Sequence, residues 1–229
     1  MKRTENSYEI IDVSDITNVR FYTSVDQGSY IPPHWHRAVE IIYMQEGSLD
    51  ITVESRSFTI HPGDCTLINA NVLHSTKCIN PNKAIVLQIP LDFMEKYIPN
   101  VQQLLFILDH TSTDPVRSTK TAMLCTVLEQ MQIIDEIRPD GFIMRFNSLI
   151  FELLFQLYHN FSVKVFQSDL SQKKKDLDRL NVVLKYIADH YQRPISLAEI
   201  SEIAYLQAGY FCRFFKKRMG VTFLEYQNE

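Results

Sequence analysis

The stretch Ile195–Phe223 reads ISLAEISEIAYLQAGYFCRFFKKRMGVTF and predicts two short helices joined by a tight break. Ser196 is followed three residues later by Glu199, which is the spacing of a capping box, so the first helix is expected to start there. The second helix is predicted over Ala208–Met219, because Gly220 is a residue type that commonly ends helices. Two short helices in such close succession are typical of a helical hairpin.

The second of these helices has an apolar side and a cationic side. Phe211, Phe215 and Met219 recur at i, i+4 and i+8, which places them together on the inward side. The outward side then carries Gly209, Cys212, Arg213 and Lys216. Such a hairpin predicts a helix-turn-helix whose second helix lies in the major groove of DNA. The alternative is a hairpin whose basic side is merely solvated.

This stretch resembles the first helix-turn-helix of the AraC family of bacterial transcription regulators. The resemblance runs without a gap through Ser196-Leu197, Glu199-Ile200, Tyr210-Phe211, Arg213, Phe215-Lys216-Lys217, Gly220 and Phe223-Leu224-Glu225-Tyr226. It implies double-stranded DNA as a partner, with base contacts from Gly209, Cys212 and Arg213 and phosphate contacts nearer Lys216 and Lys217. The family usually carries two such units, and we expect the second to be absent because the chain ends at Glu229.

Charge is divided unevenly along the chain. The 229 residues carry a net charge of −4, which is unexpected for a DNA-binding protein. Residues 173–229 nevertheless hold 10 Lys and Arg against 7 Asp and Glu, whereas residues 1–172 hold 13 against 20. The basic excess therefore lies with the predicted helix-turn-helix, where phosphate contacts require it.

Length and composition narrow the class of protein. A chain of 229 residues is expected to form two domains, and 45% hydrophobic with 22% charged residues is typical of a globular protein. No apolar run approaches the roughly 20 residues that span a membrane, and the first residues lack the apolar core of a signal peptide. The four cysteines form no C-x-x-C pair, so we expect reduced thiols and a cytoplasmic location.

Residues 19–90 show a pattern of short strands separated by turns. Leu49, Ile51 and Val53 alternate with polar residues, which predicts a strand with one buried face. Val39–Met44 is a β-branched and aromatic run that predicts another strand. Many short strands with turns between them favour a small antiparallel barrel, so we predict an α+β protein.

The rest of the chain is predicted to be helical. Short helices are expected over Leu91–Tyr97 and Val101–Asp109, and long apolar helices over Thr119–Ile137 and Gly141–Phe161. The last of these has more apolar surface than one barrel can cover, so we predict a homodimer through this region, with packing inside one chain as the alternative. The predicted domains are a cupin-like barrel over residues 1–95, a helical dimerisation region over 96–166, a polar linker over 167–176 and the helix-turn-helix unit over 177–229.

A second group of residues lies in the predicted barrel. It resembles the first signature of the cupin superfamily, whose spacing is matched by Gly28, His34, His36, Glu40 and Gly47. His34, His36 and Glu40 share even parity, so a strand would direct them toward the barrel interior. His74 falls at the last metal-ligand position of a looser second signature. Trp35 has the opposite parity and is predicted to pack outside the barrel.

The chemistry of these four residues leaves three interpretations open. Three imidazoles and a carboxylate suit a divalent metal such as Fe, Mn, Zn or Ni. The resemblance also implies that such residues bind sugars or other small polar molecules, as in AraC-family sensors. A structural polar cluster is the third interpretation of His34, His36, Glu40 and His74.

We therefore predict a ligand-responsive, DNA-binding transcription regulator rather than an enzyme. One alternative is a metal-dependent cupin enzyme, such as a dioxygenase or an isomerase. Such an enzyme would have no need for Arg213, Lys216 and Lys217 on an exposed helical face. The other alternative is a sensor and dimerisation fragment that cannot bind operators alone.

Overall fold

The computed structural model describes residues 8–228 apart from 55, 110, 165, 166, 191 and 220. Within these residues, the first part of the chain forms eight antiparallel strands. They are β1 (Arg20–Asp26), β2 (Tyr30–His34), β3 (Ala38–Glu46), β4 (Leu49–Val53), β5 (Arg56–Ile60), β6 (Cys65–Ile68), β7 (His74–Lys77) and β8 (Asn82–Pro90). Two four-stranded sheets result, ordered β1-β8-β3-β6 and β2-β7-β4-β5. The antiparallel architecture predicted from the sequence is confirmed.

The sheet β1-β8-β3-β6 is buried on both faces. Toward the barrel interior, Ile42 and Met44 of β3 pack with Ile51 of the opposite sheet. On the outer face, Ile41 of β3 and Leu87 of β8 belong to a larger cluster that includes the helices following the barrel. Because both of its faces are covered, β3 is an almost continuous apolar run instead of an alternating one.

Two long helices follow the barrel, as predicted, and both pack on the outer face of this sheet. A short helix, α1 (Leu91–Met94), precedes α2 (Pro115–Ile137) and α3 (Phe142–Gln156), and a π-helical turn, Leu157–Phe161, continues α3. Helix α2 begins four residues before the predicted start, because the Asp114 carboxylate accepts a hydrogen bond from the Val116 amide at 3.1 Å. Pro115 is the first residue of α2, and proline is favoured in the first turn of a helix.

The helix predicted over residues 101–109 is wrong. A 3₁₀ turn, Val101–Gln103, is followed by β9 (Leu104–Phe106), which pairs antiparallel with β10 (Ser162–Lys164). The Asn69 side chain also holds both backbone groups of Phe106, each at 2.8 Å. These partners lie far away in the sequence, so they override the local helical pattern. Region 96–166 is therefore only partly helical.

The C-terminal part of the chain is helical. It consists of α4 (Gln167–Asp189), α5 (Leu197–Ile203), α6 (Ala208–Met219) and α7 (Phe223–Asn228). The segment 167–176, which we predicted as a linker, is the first part of α4. It contains no glycine or proline and is rich in lysine and glutamine, which favour helix. A domain boundary there stays a prediction, and Gly220, the predicted helix stop, lies outside the described residues.

Helices α5 and α6 begin and pack as predicted. The Ser196 hydroxyl accepts a hydrogen bond from the Glu199 amide at 3.1 Å, which starts α5. The Glu199 carboxylate does not complete the capping box but accepts hydrogen bonds from Arg193 and from Tyr186 of α4. These two partners lower the pKa of the Glu199 carboxyl from 4.5 to about 2. The predicted inward residues of α6 are buried, and Phe214 is buried with them.

The helix-turn-helix unit packs against the barrel. Trp35 and Leu73 of the barrel belong to the same buried cluster as the apolar residues of α4, α5 and α6. Trp35 therefore packs outside the barrel, as its parity predicts. Arg218 of α6 adds an ion pair with Glu54 at 3.1 Å and another with Asp176 at 2.6 Å. Among the described helices, none is long and apolar enough to cross a membrane.

Candidate functional site

Three histidines converge at one end of the barrel. His34, at the end of β2, pairs across strands with His74, at the start of β7, and their ring centroids are 4.1 Å apart. The ring of His36 lies 5.0 Å from that of His74 and 5.9 Å from that of His34. One ring nitrogen of each histidine lies within 4.8 Å of the other two. The structure thus brings His74 together with His34 and His36, although His74 follows His34 by 40 positions in the chain.

A backbone carbonyl group fixes the orientation of each of the three rings. In each, Nδ1 contacts the carbonyl oxygen of a residue two positions away. The distances are 2.9 Å from His34 to Pro32, 3.0 Å from His36 to Ala38 and 2.9 Å from His74 to Val72. A carbonyl oxygen only accepts hydrogen bonds, so Nδ1 must carry the hydrogen. Nε2 is then the ring nitrogen that each histidine directs into the site, as in most histidines that bind metals through this atom.

Glu40 contributes the carboxylate of the predicted site. Its Oε2 atom lies 2.8 Å from Nε2 of His36 and 3.7 Å from Nε2 of His74. Gln88, the cross-strand neighbour of Glu40 on β8, donates a hydrogen bond to the same oxygen at 2.7 Å. Burial alone would raise the pKa of the Glu40 carboxyl, but His36 and His74 outweigh it and hold this pKa well below its usual range.

The pKa values of His34 and His74, which face each other across β2 and β7, shift in opposite directions. Burial and the neighbouring His74 lower the pKa of His34. Burial would also lower the pKa of His74, but the carboxylate of Glu40 more than offsets it, and the net shift is upward. The site therefore contains one carboxylate that stays ionised and imidazoles of unequal basicity.

One buried atom of this site points to a ligand. His74 is 2% exposed, and its Nε2 atom has no hydrogen-bond partner in the part of the chain that the structure describes. A buried polar atom without a partner costs about 1–3 kcal/mol, so such atoms are usually satisfied by a ligand, an ion or water. Three imidazole nitrogens in this arrangement, with Glu40 beside them, also fit a divalent transition metal.

A cavity of about 320 Å³ adjoins the site, and its lining includes His34 and Glu40. Its lining includes residues that we did not predict from the sequence, on the inner faces of three strands: Arg20, Tyr22, Thr76, Asn82, Ala84 and Gln88. For Arg20 and Tyr22, the one sequence signal is their even parity, which could have shown that both face the barrel interior. This cavity is at the lower end of the size range of small-molecule sites.

The outer side of α6 is open to solvent. The five residues predicted to contact DNA are all exposed, namely Gly209, Cys212, Arg213, Lys216 and Lys217. The guanidinium carbon of Arg213 lies 5.9 Å from the ring centre of Tyr210 on the same helix. Arg218 is mostly covered by its ion pairs with Glu54 and Asp176, so it faces the barrel instead. The exposed side of α6 is therefore positively charged, as predicted.

Two regions of the chain match known protein families. Residues 21–90 match the cupin domain family, and residues 187–228 match the bacterial regulatory helix-turn-helix proteins of the AraC family. The chain is 30% identical over 191 residues to LumQ, a probable transcriptional regulator of Photobacterium leiognathi, covering 82% of this chain and 68% of LumQ. The chain belongs to the AraC family.

Two further relatives of this AraC-family protein are uncharacterized helix-turn-helix-type transcriptional regulators of Bacillus subtilis (strain 168). YdeC is 24% identical over 227 residues, covering 90% of this chain and 72% of YdeC. YbfI is 24% identical over 196 residues, covering 83% of this chain and 67% of YbfI. An AraC-type helix-turn-helix joined to a cupin domain makes this protein a ligand-responsive, DNA-binding regulator.

Proposed function

We propose that this AraC-family regulator acts as a cytoplasmic homodimer without catalytic activity, and that a small polar effector binds at His34, His36, Glu40 and His74. The proposal is carried by one observation. Arg213, Lys216 and Lys217 are exposed on α6, while the three histidines and Glu40 converge in the barrel. A cupin enzyme would not need this cationic surface. The effector changes DNA affinity by favouring one arrangement of the barrel and the helix-turn-helix.

A divalent metal at the three histidines is a variant of this proposal. Such a metal would give Nε2 of His74 a partner and would position the effector. Elemental analysis of the purified protein, with His74→Gln as the comparison, tests it. A stoichiometric transition metal in the parent that is lost in the variant would support the metal. Its absence in both would favour an organic effector bound by hydrogen bonds, and metal with catalytic turnover would favour the cupin enzyme.

We expect Arg213 to be the main reader of base sequence. Gly209 has no side chain and Cys212 is a weak hydrogen-bonding group, whereas a guanidinium can bind guanine O6 and N7 together. Arg213→Ala is therefore expected to weaken binding to the preferred operator by about 1–3 kcal/mol and to relax specificity at one base pair. Binding to a series of single-base operator variants, selected from random DNA with the parent protein, measures both effects.

Lys216→Ala is the matched control for Arg213→Ala. Both residues are exposed on the same side of α6, so neither substitution disturbs the fold. Loss of a phosphate contact should weaken all sequences alike and reduce the salt dependence of binding. Equal specificity in Arg213→Ala and the parent would contradict the assignment. Failure of the parent to select any DNA would instead favour a sensor and dimerisation fragment.

The homodimer is expected to form through an exposed apolar stripe on α3 and the turn that follows it. Residues at i, i+7, i+11 and i+14 share one side of a helix, and the exposed fractions are 76% for Met144, 44% for Phe151, 59% for Phe155 and 45% for Tyr158. Phe155→Asp, in this stripe, should convert the dimer to a monomer. Sedimentation at micromolar concentration measures this. Val182→Asp, on α4 and 50% exposed, is the control that should remain dimeric.

A further inference from the structure

The segment before β1 brings a carboxylate to the effector cavity. The Glu9 amide donates a hydrogen bond to the Trp35 carbonyl at 2.9 Å, and Tyr8 forms a β-bridge with the same residue. The side chain of Glu9 consequently reaches the cavity, where Oε1 lies 3.1 Å from Arg20 and Oε2 lies 3.5 Å from Nε2 of His34. One carboxylate from outside the barrel strands thus contacts the arginine and one of the three histidines.

Arg20 is held in place by the barrel wall as well as by Glu9. Its Nη1 atom also donates to Gln88 Oε1 at 3.3 Å, and the Gln88 amide nitrogen donates to Glu40. The guanidinium carbon lies 4.9 Å from the ring centre of Tyr22. Because Gln88 and Tyr22 belong to strands, the guanidinium would keep its position if the Glu9 carboxylate moved away. Arg20 is the only lysine or arginine among the described residues that line the cavity.

A guanidinium in a fixed orientation selects carboxylates, because two N–H groups can bind both oxygens. The Glu9 and Arg20 side chains are 34% and 35% exposed, so the pair can exchange with a solute. A neutral ligand that displaced Glu9 would leave Arg20 without an anion. A ligand carboxylate would replace the Glu9 carboxylate without changing the charge of the site.

We propose that the effector of this regulator is a small organic acid whose carboxylate displaces Glu9 and binds Arg20 beside His34. This inference rests on the proposed function, since it names the chemical class of the effector at the same site. Glu9 then acts as an internal competitor that occupies the anion position until the acid is present. The volume of about 320 Å³ limits the acid to a small molecule.

The intrinsic fluorescence of Trp35 provides a direct measurement. It is the only tryptophan of the chain, its carbonyl binds Glu9, and it lies between His34 and His36. Malonate and lactate are titrated into the full chain, with malonamide and lactamide as neutral probes of nearly the same shape. We expect saturable binding of at least one acid, about tenfold or more tighter than its amide, as expected for loss of a charge-assisted hydrogen bond.

Two substitutions should shift this affinity in opposite directions. Glu9→Gln removes the competing carboxylate but keeps the shape of the side chain, so the acid should bind several-fold more tightly. Arg20→Gln should weaken acid binding about tenfold or more, and Arg20→Lys should weaken it less, because a lysine keeps the charge but not the paired N–H groups. In the double variant the effect of Glu9→Gln should largely disappear, since both residues act on one contact.

Several results would overturn the inference. They are acid binding no tighter in Glu9→Gln than in the parent, unchanged acid binding in a folded Arg20→Gln protein, or amides that bind as well as the acids. Absence of any acid-dependent change at the highest soluble concentrations would also overturn it. In each case the regulator function survives if a neutral solute binding in the barrel alters DNA affinity, and it fails separately if the chain selects no DNA.

Discussion

Gly47→Ala is expected to destabilise the barrel by about 2–5 kcal/mol, from backbone strain and steric overlap together. Gly47 lies between β3 and β4 with φ of 75°, in the left-handed region that costs other residues free energy. A Cβ atom there would lie 2.3 Å from the carbonyl oxygen of Pro81 and 2.9 Å from Cα of Asn82. Both are backbone atoms, so neither can rotate away.

Gly63→Ala is the matched control for this substitution. Gly63 has φ of 93° in the turn before β6, but no atom lies within 4 Å of the position of an added Cβ. Only backbone strain applies there, so we expect a loss of about 1–2 kcal/mol. Urea unfolding of the parent and both variants measures the two costs. Similar losses in the two variants would mean that the turn at Gly47 relaxes and that contact with Pro81 does not matter.

Gly47 also illustrates how much the cupin spacing could predict. The motif places Gly28, His34, His36, Glu40 and Gly47 at fixed separations. Strand parity is enough to predict that the histidines and Glu40 face inward, because side chains alternate along a strand. The steric reason for Gly47 depends on the turn before β8, more than 30 residues later, so only the structure reveals it.

Local signals predicted the helices well, and long-range contacts account for the errors. Ser196 and the apolar spacing of α6 are properties of a few neighbouring residues, and both helices occur where they were expected. Strand β9 depends on pairing with β10, which begins 58 residues after it, so the local pattern over residues 101–109 could not reveal it. Phe214, which we did not predict to be buried, lies three residues after Phe211 on the same side of α6 and is buried in the same cluster.

The cavity residues outside the cupin motif had the weakest sequence signal. Glu9 lies in a segment without periodicity, and its contacts with Arg20 and His34 depend on how that segment crosses the barrel. Gln88 stands in an apolar strand and could equally have been a surface residue. The motif therefore predicted the histidines, while the residues that distinguish one ligand from another became visible only through the tertiary structure.

Trp35 connects the effector cavity to the DNA-binding unit. Its neighbours in the chain, His34 and His36, point into the barrel, whereas its own side chain is 4% exposed in a cluster with α4, α5 and α6. Leu73, in the same cluster, directly precedes His74. Trp35 and Leu73, the two barrel residues of this buried cluster, are therefore each one peptide bond away from a histidine of the site. We therefore expect a ligand that shifts the backbone at these histidines to shift this contact as well.

Trp35→Ala is expected to cost about 3–5 kcal/mol, the usual loss for a large buried aromatic side chain. Trp35 is not part of the two clusters that form the barrel core. Hydrogen exchange should therefore accelerate in α4, α5 and α6, while amides of β3 and β8 remain protected. Trp35→Phe is the control, with a smaller loss in the same helices. We also expect effector binding to change DNA affinity less in Trp35→Ala than in the parent. Unchanged protection of α4–α6, or equal loss of protection in β3, would show that Trp35 does not hold the two units together.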